Sequence, residues 1–324
     1  MLKLTRRLFF AALSLGALAA MPASAAELDE LRIDWATYNP VSIVVKDQGL
    51  LEKEFEKDGT TIRWVQSAGS NKALEFLNAG SIDFGSSAGA AALIAKINGN
   101  PIKSIYVYSR PEWTALVTSK DSDIKSVADL KGKAVAVTRG TDPHIFLVRA
   151  LADAGLSTND VRFVLLQHAD GRAALSRGDV QAWAGLDPMM ASAELEEGAR
   201  LFYRKPEANT WGVLNVREDF AKAHPEAVAR VLKVYEQARK WAQSHPDELA
   251  QLLAKEARIP LPVAEKQLKE RTELTHNKIG SEQRESILAA GLALQQAGVI
   301  ASDVNVTAAV DSLLDDHFSR DLTN

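Results

Sequence analysis

The chain has 324 residues, 46% hydrophobic and 25% charged, with 38 Lys and Arg against 42 Asp and Glu and a formal net charge of −4. This is ordinary globular composition with apolar material for more than one core, and it excludes a disordered or fibrous chain. The absence of cysteine excludes disulfides, a lipid carried on cysteine and Cys/His metal clusters.

Residues 1–25 read as an export leader, with a basic start (Lys3, Arg6, Arg7), an apolar run from Leu8 to Ala20 and small residues at Ala23-Ser24-Ala25. That run is well short of the roughly 20 residues a membrane span needs. TRRLFF resembles a twin-arginine export signal, which leaves the export route open. A soluble, monomeric periplasmic protein is expected. Losing the leader's three cations takes the charge from −4 to −7, which disfavours nucleic acid as a partner.

Strand and helix signals then alternate. LRIDWAT reads as a strand and PVSIVVKDQGLLEKEFEKDG as a helix opened by Pro40. TIRWVQS is a strand, SNKALEFLNAG a helix, SIDFGSS a short strand and AGAAALIAKING a helix. PIKSIYVYS and TALVTSK follow as strands. The polar stretch KDSDIKSVADLKGK reads as a crossing segment, and the alternation restarts with KAVAVT, PHIFLVRALADA, DVRFVLLQ, ADGRAALSRG, VQAWAG, DPMMASAELEEG and ARLFYR. After TWGVLNVR the pattern is helical to the end, with two helices opened by His-Pro-acid. Such alternation predicts an α/β fold with parallel sheets covered by helices. Two lobes are expected: residues 27–118 begin lobe one, 119–213 form an inserted lobe two, and 214–324 complete lobe one. Hinges are expected at 116–120 and 212–216.

Four strand-to-helix turns are rich in hydroxyls and small residues. They are WATYNPVS with Tyr38 and Asn39, VQSAGSNKAL with Gly69 and Ser70, DFGSSAGAA with Ser86 and Ser87, and VTRGTDPHIF with Gly140, Thr141 and Asp142. The last lacks the Lys-Ser/Thr ending of a P-loop. A helix start with free N–H groups binds an anion without it, and open α/β sheets bind ligands at these strand ends. Asp142 or Thr141 is equally suited to capping that helix, which is the plain structural role. Arg110 is a candidate charged partner. His144 either faces the cleft or packs on its helix, and Trp183 either fills a core or lines the cleft. Asp187 either caps a helix at Asp187-Pro188 or binds a ligand amine or hydroxyl. GSSAG also matches the G-x-S-x-G elbow of serine hydrolases, with Ser87 as nucleophile. The six histidines show no metal-binding spacing, so neither metal nor cofactor is expected.

Over nearly its whole mature length the chain resembles the periplasmic solute-binding proteins of ABC importers for aliphatic sulfonates and taurine. The matching stretches are SAGSNKALEFLNAGSIDFGSS, SVADLKGKAVAVTRGTDPH, LVRALADAGL and GDVQAWAGLDP. The resemblance implies a two-lobed, type II-like binding-protein clamp without catalysis, closing on a small organic anion and docking on a membrane permease driven by an ATPase. The turn with Arg139, Gly140, Thr141 and His144 is the part most particular to the sulfonate branch. Such proteins often carry an aromatic directly before the Asp-Pro, where this chain has Leu186, so aryl sulfonates and sulfate esters stay within the expected ligand range. Relatives binding nitrate or pyrimidine precursors, and thiamine-pyrimidine enzymes on the same fold, are the alternatives.

Overall fold

The structure, a computed structural model, describes residues 28–322. The leader lies outside the described residues. The first lobe opens with β1 (Glu30–Trp35), α1 (Pro40–Asp47), α2 (Leu50–Phe55), β2 (Thr61–Gln66), α3 (Ser70–Asn78), β3 (Phe84–Ala88), α4 (Gly89–Ile97) and β4 (Ile102–Pro111). The chain then crosses over. The second lobe holds β5 (Leu116–Thr118), β6 (Ala134–Val137), α5 (Asp142–Asp153), β7 (Arg162–Leu165), α6 (His168–Arg177), β8 (Ala182–Ala184), α7 (Met189–Glu197) and β9 (Arg200–Tyr203). After the return come β10 (Gly212–Arg217), α8 (Glu218–Ala223), α9 (Pro225–Ser244), α10 (Pro246–Ala257), α11 (Leu261–Glu265), β11 (Thr272–Glu273), α12 (Ser281–Gln296) and α13 (Val306–Leu313).

Two sheets result, ordered β11-β4-β10-β3-β1-β2 and β7-β6-β8-β5-β9. The expected parallel pairing holds for β2-β1-β3 and for β7-β6-β8. Both sheets are nevertheless mixed, because β10 runs antiparallel to β3 and β4, and β5 antiparallel to β8 and β9. Each of these is the first strand after a crossing. A chain arriving from the other lobe enters at the end where the parallel strands finish, so it must run back against them. The segments expected as hinges are therefore strands, and the connections are the stretches 112–115 and 204–211. KDSDIKSVADLKGK lies inside the second lobe, where Ser126 and Asp129 form a capping box on a short 3-10 turn. The long helix expected after Pro40 breaks at Gly49, whose φ of 58° only glycine adopts cheaply. The two-residue β11, inside the stretch expected to be helical, pairs with Pro111 and Arg110 at the sheet edge.

Each lobe has its own apolar core, and the largest buried cluster also joins the two lobes. Ile145 and Val148 of α5, and Leu186 before α7, pack with first-lobe residues such as Leu93, Ile287 and Tyr38. The lobes thus meet over a dry apolar contact beside the facing strand ends, and this positions the site.

Candidate functional site

Six helices follow the six strands paired in parallel, so they start at the carboxyl ends of those strands with their first-turn N–H groups unpaired within the helix. Three of these ends are satisfied from within the protein. Asn39 caps α1, its Oδ1 accepting from Ser42 N at 3.1 Å. At α4, Gly89 N donates to Thr210 O at 2.8 Å and Ala90 N to Thr210 Oγ1 at 3.0 Å. At α7, Asp187 Oδ1 accepts from Ala191 N at 2.9 Å. The ends of α3, α5 and α6, capped in sequence by Gly69, Thr141 and Gln167, have no side-chain cap.

Those three uncapped ends converge. A methyl group at Gly69 would stand 2.9 Å from His168 Nε2 at the start of α6, and one at Gly140 would stand 3.8 Å from Asn71 Cβ on α3. Gly140, at φ 76°, makes the turn that aims α5 at this point. The Thr141 hydroxyl donates to Thr138 O at 2.6 Å and tightens the same turn. Three helix N-termini drawn from both lobes place partial positive charge and free N–H donors around one small volume.

The remaining predicted residues are placed as follows. Ser86, Ser87, Tyr38 and Asn39 are buried in a hydrogen-bond network within the first lobe. Asn39 Nδ2 donates to Ser86 Oγ at 2.8 Å, Ser86 Oγ to Asp34 Oδ1 at 2.8 Å, and Tyr38 OH to Ser86 O at 3.0 Å. Ser87 Oγ donates to Ala88 O at 3.1 Å and accepts from Asn215 Nδ2 at 2.8 Å. Among the described residues the partners of Ser87 Oγ are Ala88 and Asn215, and no histidine is hydrogen-bonded to it. Ser70 Oγ accepts from Ala88 N at 3.0 Å and ties α3 to β3. Beneath this network burial pushes the Asp34 carboxyl up to about 6.

Asp142 is turned to the crossings. It accepts from Trp113 Nε1 at 2.8 Å, Thr210 N at 3.0 Å and Thr210 Oγ1 at 2.6 Å. One second-lobe carboxylate thus clasps both connecting segments, and through Thr210 it reaches the start of α4. Arg110 lies on the outer edge, 5.2 Å over the Trp211 ring, with a half-exposed side chain. The His144 ring meets Phe163 edge-on at 6.0 Å inside the second lobe, and burial pushes it down to about 4. Trp183 is fully buried against Gly171.

Asp187 is also committed. Arg271, from the C-terminal part of the chain, donates to Asp187 Oδ1 at 3.1 Å and also pairs with Glu194. This buried pair joins α7 to the segment before β11. Burial pushes the Asp187 carboxyl up to about 6 even against the guanidinium. Arg271, Thr210, Asn71 and His168 were not singled out as site residues in the sequence. For His168 a signal existed: DVRFVLLQ followed by a helix is one more strand-to-helix turn, passed over because it lacks glycine and hydroxyls.

Among the described residues no group of three or more His, Cys, Asp or Glu side chains is placed to hold a metal ion, and no helix is long and apolar enough to cross a membrane.

A family model described as NMT1/THI5 like matches residues 52–249. A curated protein of Escherichia coli K12, named for binding aliphatic sulfonates, is 32% identical over 256 residues, 78% of this chain and 80% of that one. Among solved structures, the alkanesulfonate-binding protein SsuA from Xanthomonas axonopodis pv. citri, bound to MOPS, is similar with a TM-score of 0.80 at 29% identity, covering 88% of this chain and 99% of that one. The periplasmic aliphatic sulphonate binding protein SsuA from Escherichia coli gives a TM-score of 0.73 at 30% identity, covering 86% and 90%.

Proposed function

Because this chain belongs to the NMT1/THI5-like family, we propose that it is the solute-binding component of an ABC importer and captures an organic sulfonate in the periplasm. The observation that carries this reading is the convergence of the uncapped starts of α3, α5 and α6. A sulfonate is a compact anion with three acceptor oxygens, and it matches N–H donors arriving from three directions. Two of these helices belong to the second lobe and one to the first. A bound anion therefore draws the lobes together, and closure removes water from it, which strengthens each hydrogen bond. The closed shape is what a permease and its ATPase would recognise. The protein acts as a monomer and has no catalytic step. Ser87, the one motif-based nucleophile, is spent on Ala88 and Asn215.

A thermal-shift panel on the chain from Ala26 onward tests this reading, using taurine, butane- and octanesulfonate, benzenesulfonate, an aryl sulfate, nitrate and sulfate. A ligand at about 100 times its Kd adds about 2.7 kcal/mol, or roughly 4 °C of melting temperature for a protein of this size. Shifts with sulfonates and none with nitrate or sulfate are expected. A flat response to every sulfonate would overturn the assignment.

A further inference from the structure

His168 opens α6 at the point where the three uncapped helix ends meet, and its hydrogen bonds fix its chemistry. The Thr138 hydroxyl has one proton and donates it to Leu166 O at 2.7 Å. Thr138 Oγ1 can therefore only accept from His168 Nδ1, 3.2 Å away, so the ring proton sits on Nδ1. The ring is 1% exposed, and burial pushes its pKa down to about 3, so it is neutral. Nε2 is then a bare lone pair, and it has no hydrogen-bond partner in the protein. It lies 2.9 Å from the point that a methyl on Gly69 would occupy, where the uncapped helix starts approach one another. Asn71 Oδ1, also buried and unpartnered, lies the same 2.9 Å from that point. Gln167 Oε1, at the cap position of α6, is a third buried acceptor without a partner.

A sulfonate cannot satisfy these atoms, because its oxygens carry no proton and repel a lone pair. Nor does the protein supply the donor: no group of the chain is hydrogen-bonded to His168 Nε2, Asn71 Oδ1 or Gln167 Oε1. We propose that the ligand carries a hydrogen-bond donor, a hydroxyl or a protonated amine, on the carbons next to its sulfonate, and that His168 Nε2 accepts from it, with Asn71 as the second acceptor. This rests on the sulfonate reading of the same site and narrows it. The helix ends take the anion, and the neutral imidazole selects 2-hydroxy- or 2-aminosulfonates over plain alkanesulfonates. Leaving a buried acceptor unmet makes the donor-free ligand bind about tenfold to a hundredfold more weakly.

The test is calorimetric titration of isethionate, taurine and ethanesulfonate into the wild-type chain and into His168→Leu and His168→Gln. Isethionate, taurine or both should bind the wild type at least tenfold more tightly than ethanesulfonate. His168→Leu should bring all three within about threefold by weakening the donor-bearing ligands, while His168→Gln, which keeps an acceptor, should preserve part of the preference. Nitrogen NMR of the wild type needs no variant to fold. Nε2 should stay unprotonated and move on adding the preferred ligand but not on adding ethanesulfonate. Equal wild-type affinities, a preference unchanged in His168→Leu, or protonation of Nε2 by ethanesulfonate would overturn the inference and leave the sulfonate assignment standing. No binding of any of the three would overturn both.

Discussion

If the lobes close on the ligand as proposed, Gly69 is where one carbon atom would block them. An alanine methyl there would sit 2.9 Å from His168 Nε2, 3.1 Å from His168 Cδ2 and 2.9 Å from Asn71 Oδ1. Comfortable contacts to carbon begin near 3.5 Å, so the overlap is about half an ångström. Asn71 lies on the same lobe and is free to rotate away. His168 lies on the other lobe and is pinned through Nδ1 to Thr138 and thence to Leu166. The strain is relieved by keeping the lobes apart, so it is charged to the closed state. Overpacking of this kind costs about 1–3 kcal/mol, which predicts a sulfonate affinity about fivefold to 150-fold weaker in Gly69→Ala. The ligand-free melting temperature should also fall, because Gly69 at φ 158° disfavours a side chain in any state, so the block to closure is read as the affinity lost beyond that of the Gly140→Ala control. Gly140→Ala is the control, because its methyl meets only Asn71 Cβ at 3.8 Å, although its φ of 76° strains the turn. That variant should lose about 1 kcal/mol of stability with little block to closure. Calorimetry gives the affinities, and small-angle scattering with and without ligand gives the compaction. Wild-type affinity and compaction in Gly69→Ala would refute the contact argument.

Three further outcomes follow from the buried charges. Arg271→Met leaves the Asp187 carboxylate buried without its counter-charge, at a cost of about 3–5 kcal/mol in denaturant unfolding, and adding Asp187→Asn should restore much of it; no recovery in the double variant would mean the pair is incidental. Asp142→Asn puts an amide among three donors, Trp113 Nε1, Thr210 N and Thr210 Oγ1, so at least one goes unmet and stability should fall by about 1–3 kcal/mol, read by urea unfolding. Asp34, raised from 3.8 to about 6, keeps its proton in the folded state where the unfolded chain has lost it. Stability therefore falls as pH rises from about 4 to about 6, reaching a penalty of about 3 kcal/mol above that window. Asp34→Asn should flatten that part of the profile, and urea midpoints at pH 4.5 and 7 that shift equally in both proteins would contradict the assignment.

The alternation of strands and helices was legible because it is local. Each strand, its turn and the following helix carry their own periodicity and stop signals, and β1, β2, β3, β6, β7 and β8 fall where those signals stand. What was not legible depends on partners far along the chain. The reversed strands β10 and β5 follow from where the chain crosses, which apolar pattern does not encode. Arg271 is 84 residues from Asp187, and nothing in RTELTHN marks it as the partner of a distant carboxylate. Asp142 reads as a local cap and is instead a clasp on Trp113 and Thr210, 29 and 68 residues away.

The same distinction decides which turns form the site. Hydroxyls and glycines mark a turn as able to hold an anion, yet a hydroxyl beside a helix start is as easily spent on the protein. Ser86 and Ser87 are so spent, and Thr210, brought in from the return crossing, fills the start of α4. Gln-His at the start of α6 has no such marking, and for that reason nothing caps it. On the proposed reading, the ends that take the anion are those that the rest of the chain leaves without a side-chain cap. In β2-β1-β3 that leaves only α3, because Asn39 and Thr210 serve the other two; in β7-β6-β8 it leaves α5 and α6, because Asp187 serves α7. One end from the first lobe and two from the second is an arrangement that neither lobe completes alone. If the sulfonate reading holds, binding strength and lobe closure rest on the same set of N–H groups, and a substitution that caps any one of them should weaken both together.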